Sequence, residues 1–316
     1  MTLSKESHIF IAGARGMVGS AIERRLKEKG YRNLLVPNRE ELDLFNLVEV
    51  NDFFSKQKID CVIDAAAKVG GIMANDKYRA DFIHQNLLIQ VNLFEAAHRN
   101  DVDNFLFLGS SCIYPKNSPQ PIKEDFLLSS PLEPTNEPYA IAKIAGLKTA
   151  ESFKRQYGRN YFSLMPTNLY GVNDNFHPQN SHVIPALIQR MNKAIQEGEG
   201  EFSVWGTGEP RREFLYVDDL ADACIHLLEE GRDIPYWLNV GTGEDISIKN
   251  LSLLIAKLMN FKGEVVFDTS KPDGTMLKCL DVSKIKSLGW TPKVSLEEGL
   301  EKTIKWYLSS ESVRSY

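Results

Sequence analysis

Short apolar runs alternate with stretches of helical periodicity over the first half of the chain. Ile9-Phe-Ile-Ala12 is too short for a helix and runs into glycines, so it predicts a buried strand; residues 20–26 behind it carry apolar side chains at helical spacing. The alternation recurs. Residues 33–37 predict a second strand, 47–57 a helix, 59–64 a third strand, and 81–100 a long helix with Phe82, Leu87, Val91, Phe94 and Ala97 as its apolar positions. Residues 105–109 and 162–166 are further strand candidates, flanking a segment rich in helix formers from Tyr139 to Leu147. Strands that alternate with helices in this way predict an α/β fold, a Rossmann-type doubly wound parallel sheet.

Beyond residue 170 the alternation breaks down, which predicts a second, smaller mixed α/β domain. Asn180 is a cap candidate ahead of a helix with Pro185 in its first turn. Residues 202–208 read as a short strand and turn, and 211–218 as an extended segment before a helix at 219–229, with Asp218 as its N-cap rather than a catalytic acid. Residues 236–240 predict a strand returning to the first sheet. Another strand at 264–267 and amphipathic helices at 250–259 and 296–308 complete the pattern.

The 316 residues, 43% hydrophobic and 25% charged, suffice for one large or two smaller domains. A net charge of -5 without a Lys/Arg run excludes a basic footprint for nucleic acid. No apolar run approaches the ~18 residues that span a bilayer. The polar first eight residues predict neither a signal peptide nor an anchor. Cys61, Cys112, Cys224 and Cys279 are widely spaced and form no CxxC pair, which argues against zinc or a disulfide framework and fits a reducing cytosol. His84 and His98 lack a partner at metal-ligand spacing and are read as structural; no metal site is expected.

Candidate chemistry gathers at the predicted strand ends. Gly13-Ala-Arg-Gly16-Met-Val-Gly19 occupies the first strand-to-helix junction, where glycines let the backbone turn tightly and approach a pyrophosphate at a helix N-terminus. After the second strand, an NAD site commonly has an acid that binds the adenosine ribose. Arg39 stands there instead and suits a 2'-phosphate, so the expected cofactor is NADP(H). Ala65-Ala-Ala-Lys-Val-Gly-Gly71 either leaves room for a ligand or packs beneath a helix. Ser110 should point into the same crevice as the Tyr139 helix, where its hydroxyl can hydrogen-bond a carbonyl.

Tyr139 and Lys143 are four residues apart and share one helical face. A tyrosine that exchanges protons near neutrality needs its phenolate favoured by about 4 kcal/mol, and the Lys143 ammonium is the expected source. Thr167-Asn-Leu-Tyr-Gly171 has the small and turn-forming residues that wrap a nicotinamide. His182, near the positive end of its helix, is expected to stay neutral. Arg190 and Arg212 are candidates to clamp a diphosphate and Trp205 to face a base or sugar; surface ion pairing and core packing are the other reading.

In this order, the glycine turn, Ser110 and Tyr139-Ala-Ile-Ala-Lys143 resemble the extended short-chain dehydrogenase/reductase family. Gly109-Ser-Ser-Cys-Ile-Tyr-Pro115, Met165-Pro-Thr-Asn-Leu-Tyr-Gly171, Asp174-Asn-Phe-His-Pro178, Ser181-His-Val-Ile-Pro-Ala-Leu187 and Lys271-Pro-Asp-Gly274 narrow it to members acting on GDP-linked keto sugars. The likeness runs from about residue 9 to about 300. It departs at Ala12, where many relatives carry threonine. The resemblance implies a substrate, GDP-4-keto-6-deoxy-D-mannose, that is epimerised at C3 and C5 and then reduced at C4.

By the same resemblance Tyr139 is the catalytic acid, Lys143 lowers its pKa and holds the nicotinamide ribose, and Ser110 meets the C4 oxygen. Cys112 and His182 match the family's proton-exchanging pair. Cofactor contacts are implied for Gly13, Ala14, Arg15, Gly16, Met17, Val18 and Gly19, for Arg39, and for Leu108, Gly109, Ser110 and Ser111. Lys143, Pro166, Thr167, Asn168, Leu169 and His182 complete that set. Arg190, Trp205, Arg212 and Asp273 are implied for the nucleotide sugar.

Residues 1–170, with 214–243 returning to them, would bind NADP(H) and 171–316 the substrate, in a cytoplasmic homodimer. A 4-epimerase or plain 4-reductase would need Ser110, Tyr139 and Lys143 but neither Cys112 nor His182. A non-catalytic NADP(H) sensor would show damage to the Ser110, Tyr139 and Lys143 set, and all three are present.

Overall fold

The computed structural model describes residues 3–178, 180–231 and 234–310. Its first half comprises β1 (Ile9–Ala12), α1 (Met17–Glu28), β2 (Leu34–Leu35), α2 (Leu47–Lys56), β3 (Cys61–Asp64), α3 (Ile72–Lys77), α4 (Arg79–Arg99), β4 (Asn104–Leu108), α5 (Glu137–Tyr157) and β5 (Asn160–Pro166). There follow β6 (Asn168–Tyr170), α6 (Val183–Glu197), β7 (Glu201–Trp205), β8 (Arg211–Tyr216), α7 (Val217–Glu230) and β9 (Trp237–Val240). The chain ends with β10 (Asp245–Ser247), α8 (Ile248–Leu258), β11 (Glu264–Asp268), β12 (Leu277–Lys278), α9 (Ser283–Ser287) and α10 (Leu296–Ser309).

Six strands, in the order β2-β1-β3-β4-β5-β9, form one sheet in which every neighbouring pair is parallel. Helices α2, α4 and α5 pack together on one side, and α1 packs on α7 on the other. Coverage of both faces explains why β1, β3 and β4 are buried at every residue and appear in the sequence as unbroken apolar runs. The strand order reverses between β1 and β3, and the carboxyl ends of the strands there open the crevice where ligands of such sheets bind. Among the described residues, no helix is long and apolar enough to cross a membrane.

Several local expectations shift. The second strand shrinks to Leu34–Leu35, because Pro37 has no N–H to give a ladder and this strand lies at the sheet edge. The N-cap position of α6 is His182, not Asn180, and its side chain makes no cap hydrogen bond. Helix α7 starts at Val217 behind Tyr216, so Asp218 lies within its first turn and pairs with Arg24 at 2.7 Å instead of capping. There its charge meets the helix's positive end.

The remaining strands build a smaller unit: β10-β8-β12 with β6 also on β8, and a β7–β11 pair. Its own core holds Tyr170, Ile188, Met191, Phe214, Leu251 and Leu300. Two buried polar side chains tie it to the main sheet. Glu213 on β8 accepts N–H bonds from Gly243 at 2.8 Å and Leu280 at 2.7 Å. A side chain at Gly241 would collide with that carboxylate. Asn239 on β9 donates to the carbonyls of Ile122 (2.9 Å) and Asp281 (3.1 Å) and accepts from the Tyr114 hydroxyl at 2.6 Å.

Glu213→Ala would leave two buried N–H groups without acceptors, a loss of about 3 kcal/mol. The urea midpoint of this variant is expected to fall markedly, and that of Glu213→Gln, which keeps one carbonyl oxygen, to fall less.

Candidate active site

The turn after β1 is shaped for close approach. Gly13 has φ +76°, and a Cβ there would meet the backbone of Ala65 and Ala66 at 2.8 Å; one at Gly19 would collide with the Gly13 carbonyl. Gly16 is the N-cap of α1, so the first N–H groups of that helix open at the turn. A cradle that side chains would fill, at a helix N-terminus, fits a dinucleotide pyrophosphate. Arg39 is exposed, with its guanidinium 5.2 Å from the centre of the Phe45 ring.

The small residues of the 65–71 segment serve both adjoining walls. Ala65 and Ala66 lie beneath the glycine turn, while Gly71 donates to the Asn180 carbonyl at 3.2 Å, and a Cβ on it would meet the Ser181 carbonyl at 3.1 Å. This contact brings the start of α6, and with it His182, to the crevice. His182 is open to water on one side, yet enough protein surrounds it that desolvation lowers its pKa and favours neutral imidazole. The expected direction holds, with desolvation rather than the helix end as its cause.

Ser110 caps a short 3-10 turn, its Oγ accepting the Cys112 N–H at 3.2 Å, so Ser110 and Cys112 are held two residues apart at the end of β4. Helix α5 brings Tyr139 to them, with Ser110 as hydrogen-bond partner of the phenol and the Cys112 sulfur close enough to act on it. Lys143, one turn on, is 3% exposed and donates to the Leu108 carbonyl at 2.8 Å, while Nζ lies 4.7 Å from the Phe107 ring centre and 6.0 Å from that of Tyr139.

The electrostatics differ from expectation at Tyr139. Burial pushes its phenol above the ordinary value, the Cys112 charge adds to this, and only the Ser110 hydrogen bond pulls it down. Lys143 is not among the influences on the phenol. A phenol that keeps its proton suits an acid in a reduction. Lys143 itself is lowered to about 8 by burial, with Asp64 opposing. Asp64 ends β3 fully buried, raised to about 6 chiefly by burial; Oδ1 accepts the Ala66 N–H at 3.1 Å and Oδ2 has no hydrogen-bond partner among the described residues.

The substrate candidates line the smaller unit. Arg190 donates to the Ser203 carbonyl and stacks 5.1 Å from Phe202; Arg212 donates to the carbonyls of Arg211 (2.8 Å) and Thr275. Desolvation lowers the pKa of both guanidiniums. Trp205 is 65% exposed. Asp273 accepts from the Thr207 N–H (2.9 Å) and hydroxyl (2.7 Å), fixing the turn after Trp205. Thr167 and Asn168 both donate to the Glu213 carbonyl, at 3.2 and 2.9 Å.

Residues 9–241 match the family described as the NAD dependent epimerase/dehydratase family. The chain belongs to this family. Within it, the chain is 54% identical to the GDP-L-fucose synthase of Escherichia coli (strain K12) over 319 residues, 98% of each chain. It is 54% identical to GDP-L-fucose synthase 1 of Arabidopsis thaliana over 97% of this chain and 94% of the other. A solved structure of a GDP-L-fucose synthetase from Naegleria fowleri bound to NADP has a TM-score of 0.88 and 29% identity, over 98% of this chain and 94% of that one. A nicotinamide-dependent epimerase fold accounts for the sheet, the glycine turn and the Tyr139–Lys143 helix together.

Two residues escaped sequence reasoning. Asp64 left a signal, a carboxylate closing an otherwise apolar run. Lys278, whose ammonium lies 3.8 Å from the Cys112 sulfur, left none that periodicity can read. The Lys143 ammonium is half lost at about pH 8, complete well below it and gone well above it. Accordingly kcat/KM for reduction of a keto substrate is expected to fall above about pH 8. Asp64→Asn should move that limb to lower pH in a pH–rate profile, since the ionised carboxylate supports the ammonium.

Proposed function

We propose that this chain converts GDP-4-keto-6-deoxy-D-mannose to GDP-L-fucose with NADPH, epimerising C3 and C5 and then reducing the C4 ketone. What carries the reading is the gathering of Ser110, Cys112 and Tyr139 about one point, in a chain whose 54%-identical relatives bear the synthase name.

A ketone at C4 acidifies the hydrogens on C3 and C5, and removing either puts charge on the C4 oxygen. Reduction puts charge on the same atom. The hydroxyls of Ser110 and Tyr139 therefore serve both reactions as one set of donors. Epimerisation also needs groups that take a proton from one face and return one to the other; Cys112 and His182 are the residues we assign to it. In the reduction Tyr139 gives its proton to the C4 oxygen, and its raised pKa holds that proton until the oxygen becomes basic.

NADPH supplies the hydride. The turn from Gly13 to Gly19 would hold its pyrophosphate, Lys143 its nicotinamide ribose, and the segments 108–111 and 166–169 with His182 the nicotinamide end. Arg39 over Phe45 favours a 2'-phosphate, in keeping with the NADP of the Naegleria structure. Arg190 and Arg212 would grip the diphosphate, and Trp205 offers an exposed aromatic face. We assign residues 1–170 and 214–243 to the cofactor, the rest of 171–316 to the nucleotide sugar. We further infer a cytoplasmic homodimer, supported by the exposed Val48, Val91 and Tyr157 on the helices of the cofactor unit.

The test follows NADPH absorbance with GDP-4-keto-6-deoxy-D-mannose in deuterated water and takes the NMR spectrum of the product. NADPH consumption with deuterium at C3 and C5 and the L-fucose configuration is expected; consumption without exchange would leave a plain 4-reductase and overturn the reading. Tyr139→Phe is expected to slow reduction about 10²- to 10⁴-fold while retaining NADPH binding. Cys112→Ser is expected to suppress deuterium exchange more than hydride transfer.

A further inference from the structure

We propose that Lys278 is a positioning residue for the epimerisation: its ammonium holds the Cys112 sulfur as the thiolate that faces the sugar. The inference rests on the proposed function and assigns a role to a side chain outside the Ser110, Tyr139 and Lys143 set.

The four cysteines differ in what surrounds them. Cys61, Cys224 and Cys279 are buried, and burial pushes all three thiols up, Cys279 to about 12. Cys112 is half-buried, and the Lys278 Nζ stands 3.8 Å from its sulfur across 166 residues of sequence. Cys279 and Leu280 behind it are buried, whereas Lys278 is only partly covered, with its ammonium at the Cys112 sulfur.

No carboxylate forms an ion pair with Lys278 among the described residues; its cross-strand neighbour is Arg212, a second cation. Tyr139 of α5 is a titratable group that interacts with the thiol. The carboxylates of Glu213, Asp245 and Glu244 act on the neighbouring Cys279 without forming an ion pair with Lys278, and the sulfur is the group its ammonium meets. The thiolate is the proton-accepting form of cysteine, and a neighbouring lysine stabilises it.

In the step, the Cys112 thiolate takes the proton from the carbon beside the ketone and becomes the thiol. The electron pair moves through the new C–C double bond onto the C4 oxygen, where the Ser110 and Tyr139 hydroxyls meet it. His182, which takes up a proton from solvent to act as imidazolium although its surroundings favour the neutral ring, then gives that proton to the opposite face and restores the ketone, and the Cys112 thiol releases its proton to solvent to become thiolate again. The charge at sulfur also bears on Tyr139. While the thiolate stands, it helps hold the phenolic proton in place; once it is protonated, that hold relaxes.

The experiment measures iodoacetamide alkylation of Cys112 against pH, read by peptide mass spectrometry, in wild type, Lys278→Met and Lys278→Arg. It is joined to deuterium exchange at C3 and C5 and to initial rates of NADP-linked GDP-L-fucose oxidation, a hydride transfer that needs no epimerisation.

The expected result is an alkylation midpoint about one pH unit higher in Lys278→Met. Exchange should be slowed about tenfold or more at neutral pH and hydride transfer by a smaller factor, with both recovered by Lys278→Arg. An unchanged alkylation profile, with only a raised KM for the nucleotide sugar, would overturn the proposal and make Lys278 a diphosphate contact. If Lys278→Met does not fold, Lys278→Gln and the salt dependence of the wild-type midpoint decide the same point, since an ammonium–thiolate pair weakens as ionic strength rises. Absence of exchange in wild type would sink the proposed function instead, and the alkylation profiles would still report whether Lys278 and Cys112 are paired.

Discussion

The buried carboxylate of Glu213 holds the two parts of the molecule in register. Its two oxygens accept N–H groups from Gly243 and Leu280, and its own carbonyl receives the side chains of Thr167 and Asn168. Four segments distant in sequence meet at one residue of β8: the exit of β5, the turn after β9, β8 itself and the strand bearing Lys278. An anion is an expensive thing to bury, and burial does push its pKa up; two N–H donors offset that cost. Through this one residue the placement of β12 against the Cys112 turn follows from the packing of the main sheet.

A second set of buried polar groups lies on the other side of the crevice. Lys143 is nearly inaccessible, bonded to the Leu108 carbonyl and flanked by the Phe107 face, with Asp64 as the opposing charge. Neither charge is in contact with the other, and both are shifted toward their neutral forms. A lysine poised near neutrality is a different instrument from a solvated one: its charge is cheap to remove, and it responds to whatever is placed before it. Tyr139 follows the opposite logic, its environment favouring retention of the proton.

Much of the fold was legible because a parallel sheet covered on both faces leaves uninterrupted apolar runs, such as Ile9-Phe-Ile-Ala12, between helices of ordinary periodicity. The second strand was legible but read too long, and the two-residue strand β12 was not legible, since a pair of residues has no period and only the neighbouring strand makes it a strand. Ser110, Tyr139 and Lys143 were legible from local order, being a strand end and a one-turn spacing. The direction of the Tyr139 shift was not, because spacing along a helix carries no information about desolvation. Lys278 belongs to the same class: its meeting with Cys112 is a product of the Glu213 junction rather than of any motif.

The stretch from Lys271 to Leu280 joins what the two ends of a substrate would touch. Lys271 lies over the Trp205 ring, Asp273 fixes the turn beside it, the Thr275 carbonyl receives Arg212, and Lys278 reaches Cys112. The proposed grip on the nucleotide and the proposed readiness of the sulfur thus share a single short piece of chain. A sugar stripped of its nucleotide would leave that piece without its far anchor, and it would forfeit turnover as well as affinity, since remote binding is what aligns the reacting end.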